Sequence, residues 1–173
     1  MTTPAAAIHP AARARHGLGD DVRPLLDRRL YALIGTQNDD GTAHLAPVMF
    51  LYDNGRIVFE TGAATRKARN IAARRHATVL IQTPEAAWVA GAGPAAIVAG
   101  DAASHHRDQI RGKYLTPQGR QVCDDLLDEM DDVIIVVHPT HWLSWDLTSF
   151  MEALATRGVD PTHADTWFLV DDD

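Results

Sequence analysis

A chain of 173 residues with 46% hydrophobic content is long enough for one domain with its own core, and it needs no covalent staple. Its formal charge of -7 excludes the broad basic surface that nucleic acid requires, and no apolar run reaches the roughly 18 residues that cross a bilayer. Cys123 is the only cysteine, which excludes an intrachain disulfide and makes a reducing, cytoplasmic setting the expectation.

Residues 1–22 are Ala-rich and broken by Pro4, Pro10 and Gly17, so a mobile N-terminal arm is expected there. Residues 23–29 read as a short helix that offers Leu25 and Leu26 to a core. The period then shortens. Residues 30–36 and 42–51 read as strands joined by the turn Asn38-Asp39-Asp40-Gly41, and Asp53-Asn54-Gly55 leads into a third strand at 56–61. Asn-Gly between apolar runs is the strongest short-range hairpin signal, because both central residues of the favoured turn need positive φ.

Thr65 is placed to cap a helix running through Arg75, and residues 77–83 return to strand. Residues 88–103 read as one long extended segment in which Gly91, Gly93 and Gly100 supply bends or bulges. Helices are expected at 105–115 and 117–129, the second started by Pro117. Residues 133–137 form a buried strand by composition, and 142–147 are expected to continue it after Pro139. About six antiparallel strands with helices inserted late predict a mainly β fold, a small closed or partly closed barrel over residues 23–147. Residues 148–173 are left as a C-terminal extension packed on the domain or on a second subunit.

Within this acidic chain, residues 61–84 contain no Asp or Glu but carry Arg66, Lys67, Arg69, Arg74 and Arg75. Lys67 is one of only two lysines, so it does not belong to a general lysine coat. Cations at a helix start oppose the macrodipole at about 0.3 to 1 kcal/mol each, and a bound anion removes that cost. Free amides, dipole and flexible cations together suit a phosphate. At 3.6 residues per turn, Arg66, Lys67, Asn70 and Arg74 share one arc and Ala68, Ile71 and Ala72 another, so one face packs while the other is expected to meet a ligand.

Other constellations carry less. Gly91-Ala92-Gly93-Pro94-Ala95-Ala96 fits a dinucleotide fingerprint in letters only, since strand rather than helix follows it. His105-His106 and His138-Pro139-Thr140-His141 lack metal-ligand spacing, because Pro139 prevents a helix that would align the second pair. No G-x-S-x-G elbow or paired carboxylates mark hydrolase chemistry, and the acidic run 124–132 reads as a solvated face. His44 lies on the strand leading into the ligand-lining segment and is a candidate hydrogen-bond or proton donor to a substrate.

Strand ALIGT, turn DDG, strand HLAPVMFLYDNG, strand RIVFETG, helix TRKARNIAARR, strand ATVLIQT and the later VIIVVHPTHWLSWD together resemble a known family. It is the split-barrel flavin-binding family that includes pyridoxamine 5'-phosphate oxidase and its deazaflavin-using relatives. The resemblance covers about residues 25–147, and its specific part is the APV strand paired with the TRKARN helix start. It implies a six-stranded antiparallel split β-barrel with a few peripheral α-helices.

The resemblance also implies a site. Arg66 and Lys67, helped by Thr65, hold the phosphate of FMN or, alternatively, of the deazaflavin coenzyme F420. Pro47, Val48, Met49, Glu60, Thr61 and Gly62 line the ring and ribityl chain, and Gln82 is a polar contact. A homodimer with the cofactor at its interface follows, in which Trp142 or Trp145 reaches the neighbouring subunit's ring. The implied activity is flavin-dependent hydride transfer to or from a small substrate, with a non-catalytic flavin or haem binding protein as the alternative. Two departures stand out: Met49 occupies a position often aromatic in relatives, and Trp167 to Asp173 form an acidic end instead of a basic substrate clamp. Pyridoxamine phosphate is therefore not the expected substrate.

Overall fold

Two long strands change partners midway, and those exchanges turn a sheet into a barrel. In the computed structural model, which describes residues 13–15, 18, 22–84, 87–98, 101–127 and 131–160, the strands are β1 (Arg13–Arg15), β2 (Tyr31–Gln37), β3 (Ala43–Asp53), β4 (Arg56–Gly62), β5 (His76–Gln82), β6 (Trp88–Val98), β7 (Asp132–Val137) and β8 (His141–Trp145). The helices are α1 (Arg23–Asp27), α2 (Arg66–Arg74), α3 (Asp101–Tyr114), α4 (Pro117–Leu127) and α5 (Leu147–Ala155). Strand β3 pairs with β2 over residues 43–49 and with β4 over 50–53. Strand β6 does the same, pairing with β7 only from Ala95 onward. The ring β6-β5-β2-β3-β4-β7 closes when β7 meets β6, giving a six-stranded antiparallel barrel.

Turn chemistry sets the register. Asn54 and Gly55 adopt φ of 47° and 85°, as the two-residue β3–β4 hairpin requires. In the β2–β3 turn Gly41 takes φ 83°, and the Asp40 carboxylate accepts from the amide and hydroxyl of Thr42 at 3.0 and 2.6 Å.

Strand β8 departs from expectation. It does not prolong β7: the chain reverses at residues 138–140, crosses β6 and returns along residues 88–92 outside the ring, where β1 adds to it. The crossing is held by His138 N–H donating to Pro94 O at 2.8 Å and Thr140 N–H to Ala92 O at 3.0 Å. It also explains two glycines. A Cβ at Gly93 would overlap the His138 carbonyl, and one at Gly91 would lie 2.8 Å from the Trp142 ring and 2.9 Å from Pro139. These glycines permit close approach of a crossing chain rather than supplying bulges. Gly100 lies outside the described residues.

Other boundaries shift. Strand β6 ends at Val98 and α3 begins at Asp101, so the extended reading ran too far. Leu147 starts α5 instead of ending a strand, because Asp146 caps it by accepting from Ser149 N–H at 2.7 Å. Residues 13–15 of the expected arm form β1, whereas most of 1–21 and all of 161–173, including the acidic end, lie outside the described residues.

The barrel interior is filled by alternate strand residues, among them Ile34, Phe50, Ile57, Phe59, Val79 and Ile81. Ala68 and Ile71 of α2 and Leu26 of α1 complete that core. A second layer, Val58, Ile134 and Val136 with Ala103 and Ile110, sits beneath α3. No helix among the described residues is long and apolar enough to cross a membrane.

Candidate cofactor site

The β3–β4 ladder ends at Phe50 opposite Phe59. Beyond that pair the strands diverge: Pro47, Val48 and Met49 follow β2, while Glu60, Thr61 and Gly62 follow β7. Helix α2 starts at this split. Its entry loop is tied down by Ala63 N–H donating to Asp131 O at 2.7 Å, Thr65 N–H to Gly62 O at 3.0 Å, and Arg69 Nη1 to Ala64 O at 2.7 Å. Thr65 is the N-cap, its hydroxyl accepting from Ala68 N–H at 3.4 Å and lying 3.2 Å from the Thr61 hydroxyl.

The basic arc of α2 divides its labour. Asn70 is buried and donates to Thr36 Oγ1 at 3.1 Å and Asn38 Oδ1 at 3.0 Å. Arg74 donates to Asp39 at 2.7 Å. These two latch α2 to the β2–β3 turn, so part of the arc expected to face a ligand is engaged within the fold. Arg66 and Lys67 differ. Among the described residues neither side chain has a hydrogen-bond or ion-pair partner. Burial pushes the Lys67 ammonium below its ordinary pKa, and no carboxylate offsets it. Arg66 has only a distant Coulombic influence on Asp40, whose carboxyl is held low chiefly by the hydroxyl and amide of Thr42.

The other expected site residues scatter in an ordered way. Val48 is buried among the barrel core, so its side chain cannot line a ligand. Glu60 also turns away, its carboxylate taken by Arg107 and Arg111 of α3. The side chains of these two residues are thus engaged within the fold. Met49 packs against the layer beneath α3, and Pro47 is exposed.

Register puts Trp145, Trp88, Gln82, Tyr31 and Met49 in one row across the outer face of the sheet. Trp145 stands four strands away from Met49, roughly 19 Å when measured along the curved sheet. It lines a separate cavity of about 560 Å³ with Trp88, Thr83 and residues of α1 and α5. Trp142, the other tryptophan expected to reach a neighbouring subunit, is buried in the core of its own chain. His44 pairs with Thr36, on the inward side at the barrel mouth.

The same outer face holds a cavity of about 850 Å³ floored by Leu33, Leu45 and Leu80 and edged by Arg74 and His76. Leu45 and Tyr31 are 59% and 62% exposed, and Arg74 Nη1 is buried without a hydrogen-bond partner. An open apolar face and an unsatisfied guanidinium nitrogen therefore lie side by side here. Among the described residues no group of three or more His, Cys, Asp or Glu could hold a metal.

Sequence reasoning missed two features. One is the ion cluster of Glu60 with Arg107, Arg111, Asp124 and Asp132; the acidic run containing the last two read as a solvated face. The other is Lys113, whose Nζ donates to Leu26 O at 2.9 Å and Phe50 O at 3.3 Å. Its rarity as one of two lysines was the only signal available.

A closed antiparallel barrel, split where a cation-bearing helix starts, defines the split-barrel class. The chain belongs to the pyridoxamine 5'-phosphate oxidase family, whose model matches residues 18–146. Among solved structures it is similar to an F420 reductase, at 25% identity over 72% of this chain and 98% of that one, with a TM-score of 0.57. The conserved hypothetical protein Rv2991 from Mycobacterium tuberculosis shares 19% identity over 77% of this chain and 88% of that one, with a TM-score of 0.63. HutZ, a haem storage protein from Vibrio cholerae, shares 14% over 71% and 90%, with a TM-score of 0.58. These last two likenesses concern the fold alone. No curated protein matches the chain.

Proposed function

We propose that this protein is a flavin-dependent oxidoreductase that holds FMN, or the deazaflavin coenzyme F420, in the split between β3 and β4. The carrying observation is that Arg66 and Lys67 stand unpaired at the start of α2 while Asn70 and Arg74 on the same arc are engaged. The residues present fit a phosphate. An ammonium whose pKa burial lowers, a guanidinium and the first amides of a helix all belong to the start of α2, where the Thr61 and Thr65 hydroxyls lie 3.2 Å apart.

In this reading Arg66, Lys67 and Thr65 hold the phosphate. The main chain of residues 47–49 and 60–62 orients the ring, and Met49 and Gln82 supply side-chain contacts. A bound flavin supplies hydride transfer, and the protein supplies placement and exclusion of competing reactions. The active unit is a homodimer with the cofactor at its interface. Its support is the open face around Leu45 and the separation of Trp145 from Met49, which suits a tryptophan that serves a neighbouring subunit. The substrate is a small molecule, and the setting is cytoplasmic.

The visible spectrum of the purified protein, with mass identification of whatever acid releases, tests the cofactor. Bound FMN or F420 is expected; haem instead would favour a binding or storage role. Turnover of an artificial acceptor with NAD(P)H or reduced F420 tests the activity, and a flavin-loaded protein without turnover would overturn the oxidoreductase.

A further inference from the structure

Strand β4 carries a single acid, Glu60, and its carboxylate is gripped by two arginines that lie 47 and 51 positions further along the chain. Arg107 Nε donates to Oε1 at 2.7 Å, and Arg111 reaches both oxygens at 2.8 and 3.2 Å. Arg111, 7% exposed in its side chain, also bonds the Asp124 carboxylate and stands 4.0 Å from that of Asp132. Arg107 adds a bond to the main-chain oxygen of Asp132 at 3.3 Å. A bidentate guanidinium on a buried carboxylate fixes orientation as well as charge.

This cluster is continuous with the entry loop of α2. Gly62 pairs with Asp132 in the β4–β7 ladder, and Ala63 N–H is held by Asp131 O. Each residue between Glu60 and Thr65 has a fixed partner, and the cluster is where that run is anchored. It also satisfies both oxygens of the Glu60 carboxylate.

We propose that Arg107 and Arg111 are positioning residues for the phosphate end of the cofactor. Acting through Glu60 and the β4–α2 loop, they hold the helix start in the register that leaves Arg66 and Lys67 free for an anion. The inference rests on the reading that a cofactor phosphate binds there.

Titrating the full-length protein, freed of any copurified flavin, with FMN and with riboflavin tests it, because the two share a ring and differ in the phosphate. The expected result is that Arg107→Gln weakens FMN at least tenfold, moves riboflavin less than twofold, and is partly rescued by Arg107→Lys. Amide exchange at residues 62–67 of the ligand-free variant is expected to quicken while β2 and β5 stay protected. Equal weakening of both flavins, unchanged FMN affinity, or unchanged exchange at 62–67 would overturn the positioning role. The wild-type arm reports separately on the underlying reading: equal affinity for FMN and riboflavin there would remove the phosphate site itself, and the proposal with it. Arg111→Lys, which keeps the charge at the more buried position, is expected to show the same FMN-selective loss more weakly.

Discussion

Lys113 Nζ donates to the carbonyl oxygen of Phe50 at 3.3 Å, and Phe50 is the residue at which β3 leaves β2 for β4. Next to it, the Phe50 N–H donates to Tyr114 Oη at 3.4 Å, and that hydroxyl in turn donates to Leu30 O. Two side chains from the end of α3 thus satisfy main-chain groups that β2, starting at Tyr31, does not reach. A buried main-chain group left without a partner costs about 1–3 kcal/mol, and α3 offsets that cost where the barrel opens at Phe50.

The same pair makes stability depend on alkaline pH. Burial depresses Lys113 to about 8, against 10.5 unfolded, and raises Tyr114 to about 12. Between pH 8 and 10 the unfolded chain binds more protons at Lys113, so stability rises with pH. Above pH 10 the unfolded tyrosine loses its proton first, and stability falls. Urea midpoints read by tryptophan fluorescence are expected to peak near pH 10, and Lys113→Met should remove part of the rise. A monotonic fall from pH 8 in the wild type would contradict this.

Arg66→Ala combined with Lys67→Ala should separate binding from folding. Charge-assisted contacts contribute about 1.5 to 3 kcal/mol each, so FMN affinity is expected to fall more than a hundredfold. The ligand-free protein should unfold at the same temperature or slightly higher, because the lost cations opposed the helix dipole. Isothermal titration and thermal melts on one preparation check both halves.

Asn70→Ala should act on the fold instead. It removes the donor that Thr36 and Asn38 share, at a cost of about 1–3 kcal/mol. Amide exchange is expected to accelerate in the turn at residues 38–42, and denaturant melts should shift accordingly.

Two glycines should respond differently to alanine. At Gly93 the new Cβ overlaps the main-chain carbonyl of His138, which cannot swing aside as a side chain could, and about 3 kcal/mol or more should be lost. At Gly55 there is open space and only the φ of 85° opposes the change, so about 1 kcal/mol is expected. Equal losses in chemical denaturation would refute the crossing argument.

Leu45→Glu places a charge on the open face of the sheet, at a position 59% exposed within one chain. The far-UV spectrum should not change. Light scattering is expected to show the mass dropping to that of a monomer, and cofactor should be lost with the partner. A dimer that persists with full cofactor would put the interface elsewhere.

What the chain declares by itself is local. Asn54-Gly55, the Asp40–Thr42 turn and the Thr65 cap were legible because a turn or helix start needs particular φ values and donors within three or four residues. Alternation marked the barrel strands, and the acid-free stretch carrying Arg66, Lys67, Arg69, Arg74 and Arg75 marked the helix start. Contacts made across the fold were not legible in this way. Which cations of α2 stay free depends on the β2–β3 turn swinging against Asn70 and Arg74, and Glu60 faces α3 because the ladder with β7 turns it outward. Trp142 is buried while Trp145 is reachable because β8 folds back over β6 instead of prolonging β7, a register no short window contains. The sequence therefore determined where a cation-bearing helix start lies; the tertiary structure decided which of its side chains remain unpaired among the described residues, since charges separated by tens of residues pair only once the strands between them are in place.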